Sequence, residues 1–153
     1  MTPERPDPLD LKAQSDVILE RAAEQLRRLL HRAVAELDPF PSFPGALFTN
    51  AIEAEPGGAA DPERGCVVVG EDGDLYEFRI GVDFEGVALS GFEDPVSLRK
   101  EELAKLDLHP RDYVVYAYNA LSAVVEELLE QQDSGSPSPP SSSDGGPPIE
   151  GER

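Results

Sequence analysis

The stretch that decides the fold is "VVVGEDGDLYEFRIGV", residues 67–82. Two runs rich in β-branched and aromatic residues flank Asp72-Gly73, and an Asp-Gly pair is typical of a two-residue hairpin turn. In the second run apolar and charged residues alternate, which predicts one core face and one solvated face. The apolar set is Tyr76, Phe78, Ile80 and Val82, and Glu77 and Arg79 lie between them. The stretch therefore predicts an antiparallel hairpin.

Further strands are expected on either side of this hairpin. "ALFTNAIEAE" (residues 46–55) has the composition of a strand, and "PGGAADPERG" after it that of a loop. After the hairpin, "GVALSGF" (residues 86–92) is a candidate for a fourth short strand. The predicted sheet is antiparallel and has three or four strands.

Two long amphipathic helices enclose this region. The first is "SDVILERAAEQLRRLLHRAVAEL", expected to begin near Ser15 or Asp16 and to end before the prolines of "DPFPSFP". Its apolar stripe is Ile18, Ala22, Leu26, Leu29, Leu30, Ala33, Val34 and Leu37. The second is "PRDYVVYAYNALSAVVEELLEQQ", opened by Pro110 at a first-turn position. Its stripe is Val114, Ala117, Tyr118, Leu121, Val125 and Leu128.

A short helix, "SLRKEELAKL", is expected before the second long one, with Ser97 as its cap. The predicted order is α-β-β-β-(β)-α-α. This order describes an α+β domain in which two long amphipathic helices cover one face of the sheet. We expect residues 1–9 to be a disordered leader, 10–132 the single domain and 133–153 a disordered tail. Fifteen of those last 21 residues are Ser, Pro or Gly.

The net charge of −18 narrows the classes of partner. Binding to nucleic-acid phosphates or to anionic lipid needs clustered Lys and Arg, so neither direct nucleic-acid binding nor membrane binding is expected. The single cysteine, Cys66, excludes an intrachain disulfide. Together with the lack of an apolar signal-peptide core, it favours the cytoplasm.

Few residues of this sequence suit metal binding or nucleophilic catalysis. An EF-hand loop that started at Asp72 would fail at its fifth and sixth positions, which Tyr76 and Glu77 occupy. His31, His109 and Cys66 show no metal-ligand spacing, and a Cys-His pair could arise only through folding. The sequence also lacks the common nucleophile and phosphate-binding motifs. We therefore expect no cofactor, no metal and no enzymatic activity, although a small enzyme that uses carboxylates remains an alternative.

Charge distribution points to a binding surface. Residues 50–96 carry twelve Asp or Glu against two Arg, a net charge of −10. This pattern is typical either of a solvated sheet or of an acidic docking face for a basic partner, to which Asp72, Asp74 and Glu77 would contribute. On the last helix, Val115 and Tyr116 lie off the apolar stripe. They predict a contact surface, commonly for a second copy, unless another helix of the same chain covers them.

The order of elements and the acidic character are similar to those of the type III secretion chaperone-like fold, a resemblance of topology without a signature residue. It implies a dimer that binds client segments. The function expected is a cytoplasmic adaptor or chaperone-like homodimer that binds a basic or amphipathic protein segment. A DNA-mimic inhibitor, with carboxylates in place of phosphates, is the other alternative.

Overall fold

The hairpin predicted around Asp72-Gly73 forms the centre of the sheet in the computed structural model, which describes residues 3–55, 65–90, 96, 98–136 and 151. Strand β2 (Cys66–Val69) pairs antiparallel with β3 (Leu75–Val82). The turn is longer than predicted, because the Gly73 amide donates to Gly70 O at 3.0 Å and the Gly70 amide donates to Asp74 O at 3.0 Å. Gly73 has a φ of 83°, so the hairpin has a three-residue loop that ends in a left-handed glycine.

Among the described residues, two other strands complete a four-stranded antiparallel sheet of order β1-β2-β3-β4. β1 is only Ile52–Glu53, much shorter than the strand predicted over residues 46–55. β4 is Arg99–Lys105, paired with β3 from Tyr76 to Val82. β4 is an edge strand, and most of its side chains are charged. The α+β class and the antiparallel sheet are confirmed.

The order of elements after the hairpin was predicted wrongly. "GVALSGF" was expected to be a strand, but helix α2 (Phe84–Ser90) occupies the described part of it. "SLRKEELAKL" was expected to be a helix, but it supplies β4. Its Lys, Glu, Leu and Ala residues favour a helix locally, and pairing with β3 from Tyr76 to Val82 overrides that preference. The order is therefore α-β-β-β-α-β-α.

The two long helices are α1 (Pro8–Ala35) and α3 (Pro110–Gly135). α1 starts well before Ser15 because Asp7 is its N-cap: the Asp7 carboxylate accepts from the Leu9 amide at 2.9 Å, and Pro8 follows as N1. The helix therefore takes in the end of the predicted leader. α3 begins at Pro110 as predicted, and its N-cap is His109. Of the other predicted features, residues 56–64, Ser97 and the tail residues 137–150 lie outside the described part.

In the part of the chain that the structure describes, buried residues form two clusters. The larger one joins both long helices to alternate residues of the sheet, and α3 contacts β1 and β2. Its buried members are Ala23, Leu30, Val34, Leu37, Ala54, Val67, Val69, Leu75, Tyr113, Ala117, Ala120 and Val124. The second cluster contains Ala51, Val68 and Phe78, with Phe43 and Ala46 of the preceding loop against them. Since neighbouring strand residues divide between the clusters, both sheet faces carry core.

The predicted division of β3 into a core face and a wet face does not hold, because Leu75, on the same face as Glu77 and Arg79, is buried in the larger cluster. The predicted core face is itself buried only in its first half. Phe78 is buried in the second cluster, but Ile80 and Val82 are exposed. The helix stripes were also placed slightly wrongly. Ile18 and Leu29 of α1 are exposed, as are Tyr118 and Val125 of α3. The apolar surface left open by the fold is therefore larger than the sequence predicted.

Candidate protein-interaction surface

The turn between β2 and β3 packs against α1. Gly73 is buried, and a Cβ at this position would lie 2.5 Å from Cδ2 of His31. His31 Nε2 is 2.9 Å from Asp74 Oδ1, and Lys105 Nζ is 2.8 Å from Asp74 Oδ2. Asp74 thus links α1, the turn and the end of β4. Both carboxylate oxygens of Asp74, one of the predicted partner-surface residues, have such a partner.

The pKa of the Asp74 carboxyl lies below its usual value. The hydrogen bond from Lys105 is the main cause and His31 adds to it, whereas partial burial opposes both. The same contact with Asp74 raises the pKa of Lys105. The ion pairs therefore favour the charged forms of both residues, and Asp74 serves mainly to hold the turn in place.

Asp72 and Glu71 face the other way, toward the loop before β1. Asp72 Oδ1 accepts from the Asp74 amide at 3.0 Å, and Asp72 Oδ2 accepts from the Tyr76 hydroxyl. That hydrogen bond, together with burial, raises the pKa of Tyr76 to about 12. Glu71 Oε1 accepts from Asn50 Nδ2 at 2.6 Å. The two carboxylates are therefore oriented by neighbours while they remain exposed.

These residues line a surface cavity of about 400 Å³, which we name the acidic groove. Its lining residues are Phe48, Thr49, Asn50, Gly70, Glu71, Asp72, Tyr76 and Leu103. Phe48 is 74% exposed, and Leu103 is also exposed. Two carboxylates next to aromatic rings and an apolar side chain suit a cationic head on an alkyl stem, as in Lys or Arg.

A buried carboxylate on β4 positions one wall of the groove. The side chain of Glu101 is 4% exposed. It accepts from the amides of Leu47 and Phe48 at 2.6 Å and 3.1 Å and from Thr49 Oγ1 at 2.7 Å. Burial would raise the pKa of Glu101, but these hydrogen bonds and the nearby Arg99 guanidinium outweigh it and lower the pKa. The backbone that carries the exposed Phe48 ring is therefore held against β4 by hydrogen bonds.

Glu77, also predicted for the partner surface, lies apart from the groove. It neighbours Tyr76 on β3, so its side chain points to the opposite sheet face. Glu77 Oε1 accepts from the Gly65 amide at 2.7 Å and from Arg79 Nε at 2.7 Å. The structure therefore brings only Asp72, of the three predicted acids, into the groove, and adds Glu71 and Phe48 to it.

A second cavity, of about 510 Å³, lies on the other side of Asp74 and was missed by sequence reasoning. Arg27 lies over the Tyr113 ring there, with Cζ 4.7 Å from the ring centroid. Burial raises the pKa of Tyr113, and the guanidinium of Arg27 opposes that rise. Its lining residues are Arg27, Asp74, Leu75, Lys105, Leu106, Asp107, Leu108 and Tyr113. No local motif links residues so far apart in the chain.

The predicted helix surface is only partly open. Val115 is 48% exposed, but Tyr116 is half-buried and packs against the larger core cluster. The exposed tyrosine of this helix is Tyr118, at 64%, which the sequence pattern had placed in the core. The apolar stripe of α3 is thus rotated slightly from the predicted one.

His31, His109 and Cys66 were considered for nucleophilic or metal chemistry, and each has defined neighbours in the structure. His31 pairs with Asp74, and His109 Nδ1 accepts from the Arg111 amide at 3.2 Å. Burial, with Glu53 and Glu55 nearby, raises the pKa of the Cys66 thiol to about 11. Among the described residues, no group of three or more His, Cys, Asp or Glu side chains could hold a metal ion.

Comparison with known proteins finds no matching family, no matching curated protein and no matching solved structure. The resemblance to the type III secretion chaperone-like fold therefore stays a prediction. Within the described part of the chain, no helix is both long and apolar enough to cross a bilayer.

Proposed function

We propose that this chain is a non-enzymatic, acidic protein-interaction module that works as a cytoplasmic homodimer and binds a basic or amphipathic protein segment. The acidic groove is the observation that carries the proposal. Glu71 and Asp72 supply negative charge beside Phe48, Tyr76 and Leu103. A segment whose Lys or Arg enters this groove would gain charge-assisted and cation–π contacts together.

The sheet next to the groove supports the amphipathic part of the proposal. Ile80 and Val82 lie four and six residues after Tyr76 on β3, so all three point to one face, and Leu103 pairs with Phe78 on that face. Ile80, Val82 and Leu103 are exposed. We propose in addition that both long helices cover the opposite face, which the larger cluster supports by joining helix residues to Val67 and Val69.

The two alternative functions, a DNA-mimic inhibitor and a small enzyme that uses carboxylates, receive less support. Acids on β3 and on the edge strand β4 are paired with cations: Glu77 with Arg79, and Glu102 with Lys100 at 3.0 Å. A phosphate mimic would need an array of unneutralised acids. For a carboxylate enzyme, a general acid with a raised pKa would be expected. Glu24, Asp74 and Glu101 are described carboxyls with a clear pKa shift, and each pKa is lowered.

The test uses synthetic peptides that combine Lys or Arg with apolar residues, and acidic peptides of the same pattern as the comparison. Binding is measured by fluorescence anisotropy at low and high salt. We expect only the basic peptides to bind, and we expect their affinity to fall steeply as the salt concentration rises. Phe48→Ala should weaken binding roughly three- to fivefold. Phe84→Ala is the matched control, since Phe84 is 77% exposed and does not line the groove.

A charge reversal gives the second pair of variants. Glu71→Lys should abolish binding, whereas Glu85→Lys, an exposed acid away from the groove, should leave it nearly unchanged. Basic peptides that fail to bind at low salt would overturn the proposal, and so would equal losses in the two variants. Capture of partners from the native organism at the same two salt concentrations would then identify the segment.

A further inference from the structure

The acidic groove places two carboxylates side by side on an exposed turn. Glu71 and Asp72 are both exposed. Glu71 Oε1 accepts from Asn50 Nδ2 at 2.6 Å, and Asp72 accepts from the Asp74 amide and the Tyr76 hydroxyl. These donors orient the two carboxylates and still leave acceptor sites for a ligand, because a carboxylate offers about four lone-pair sites.

The ring of Tyr76 is held in position beside these acids. Its hydroxyl donates to Asp72, and its edge lies against the backbone of Gly70. A Cβ at Gly70 would lie only 2.9 Å from Tyr76 Cε2 and 3.2 Å from Tyr76 Cδ2. The missing side chain therefore leaves the room that the ring occupies, and Gly70 is a positioning residue of the groove.

Exposed carboxylates alone would not distinguish the two cationic side chains that a partner can offer. An ion pair between exposed groups contributes little to affinity, whether the cation is Lys or Arg. The rings of Phe48 and Tyr76 supply the discrimination, because a guanidinium is planar and weakly hydrated and stacks readily on a ring. A lysine ammonium is compact and strongly hydrated, so it exchanges water for a ring less readily. A guanidinium also has five N–H donors, enough to serve both Glu71 and Asp72.

The same combination of groups already occurs within this chain. Arg27 lies over the Tyr113 ring, with its Cζ 4.7 Å from the ring centroid, while its Nη1 donates to Glu24 Oε2 at 3.0 Å. The contact forms although the Arg27 and Glu24 side chains are 45% and 47% exposed. A ring with a carboxylate beside it therefore holds a guanidinium in this protein without deep burial.

We infer that the acidic groove selects arginine. The guanidinium of one arginine of the bound segment stacks on the aromatic lining and donates to Glu71 and Asp72, while its alkyl stem contacts Leu103. This inference rests on the proposed function and narrows its basic segment to one that presents an arginine. The expected preference for Arg over Lys is roughly five- to tenfold in affinity.

The test uses three synthetic peptides that differ at one central residue, which is Arg, Lys or citrulline, within an otherwise uncharged sequence. NMR titration of the ¹⁵N-labelled full chain at low salt gives each dissociation constant and shows which amides respond. We expect the amides of residues 70–76 to shift and the Arg peptide to bind roughly five- to tenfold more tightly than the Lys peptide. Citrulline keeps the shape of arginine without its charge, so its peptide should bind at least about fivefold more weakly than the Arg peptide.

Variants of the groove then test the source of the preference. Phe48→Leu keeps an apolar side chain but removes the ring, so it should weaken the Arg peptide about three- to fivefold and the Lys peptide less. Gly70→Ala should also reduce the Arg-to-Lys ratio, because an added Cβ displaces the Tyr76 ring. The ratio is the readout, since a variant that only loosens the fold weakens both peptides alike. Phe84→Leu is the matched control, because Phe84 is exposed and does not line the groove.

The outcomes separate this inference from the proposed function. Arg and Lys peptides that bind equally tightly would overturn the selection of arginine and leave the binding of basic segments in place. A Phe48→Leu variant with the wild-type ratio would do the same, and so would a citrulline peptide that binds as tightly as the Arg peptide. If neither basic peptide bound, the proposed function would fail and the inference would fail with it.

Discussion

The carboxylate of Glu101 fastens Leu47 to the sheet: the Leu47 amide donates to Glu101 Oε1 at 2.6 Å, across 54 positions of sequence. Through the same carboxylate, Phe48 and Thr49 are tied to β4. One buried acid therefore fixes the wall of the acidic groove that carries the exposed Phe48 ring.

Replacing this acid should loosen that wall. Glu101→Gln retains the size of the side chain but loses the charge that strengthens its hydrogen bonds, so we expect a loss of about 1–3 kcal/mol in the free energy of unfolding. Urea unfolding at pH 7 measures it. Glu102→Gln is the control, because the Glu102 side chain is 57% exposed. Equal stability of both variants would show that the hydrogen bonds contribute little.

Asp74 should make stability depend on pH. Its pKa is lowered in the folded chain, so its ion pairs contribute stability above the unfolded value of about 4, and this contribution disappears as the pH falls through the folded value. Asp74→Asn should therefore cost on the order of 1 kcal/mol at pH 7 and progressively less below pH 4. Denaturant unfolding of both proteins across this range tests the sign. A difference that grows toward acid pH would contradict it.

Gly73 should tolerate no side chain. It combines a φ of 83° with a distance of only 2.5 Å between an added Cβ and His31 Cδ2, so Gly73→Ala meets both backbone strain and a clash. We expect a loss of about 2–4 kcal/mol. Gly45→Ala separates the two effects, since Gly45 has a φ of 84° but an added Cβ there would have no atom within 4 Å. Thermal or urea unfolding should rank Gly73→Ala well below Gly45→Ala.

Cys66 should react slowly with thiol reagents. Its pKa of about 11 leaves it almost fully protonated at pH 8, and the thiolate is the reactive form. Alkylation by iodoacetamide, followed by mass spectrometry, should be at least about tenfold slower in the folded chain than in urea. Equal rates in the two states would mean that burial does not suppress the thiolate.

The local signals in the sequence were sufficient for some elements. The Asp72-Gly73 turn with its flanking β-formers and the Pro110 helix start are both short-range patterns, and the structure contains both. The prediction of a helix over residues 99–105 was wrong because helical preference is a local property of the sequence. The pairing of β4 with β3 that overrides it joins residues distant in sequence. Part of the acidic groove could not be predicted from the sequence for the same reason. Asp72 was predicted from its charge, but Phe48 and Glu101 meet only in the folded chain.

The edge strand β4 is poorly suited to pairing with a strand of another chain. Its sequence, "RKEELAK", puts cations and anions along an edge whose backbone groups could otherwise recruit another extended chain. Ile80 and Val82 of the neighbouring strand are exposed beside it, an apolar surface of the kind that stabilises stacked sheets. We expect the charges of Lys100 and Glu102 to disfavour the pairing of this edge with another extended chain.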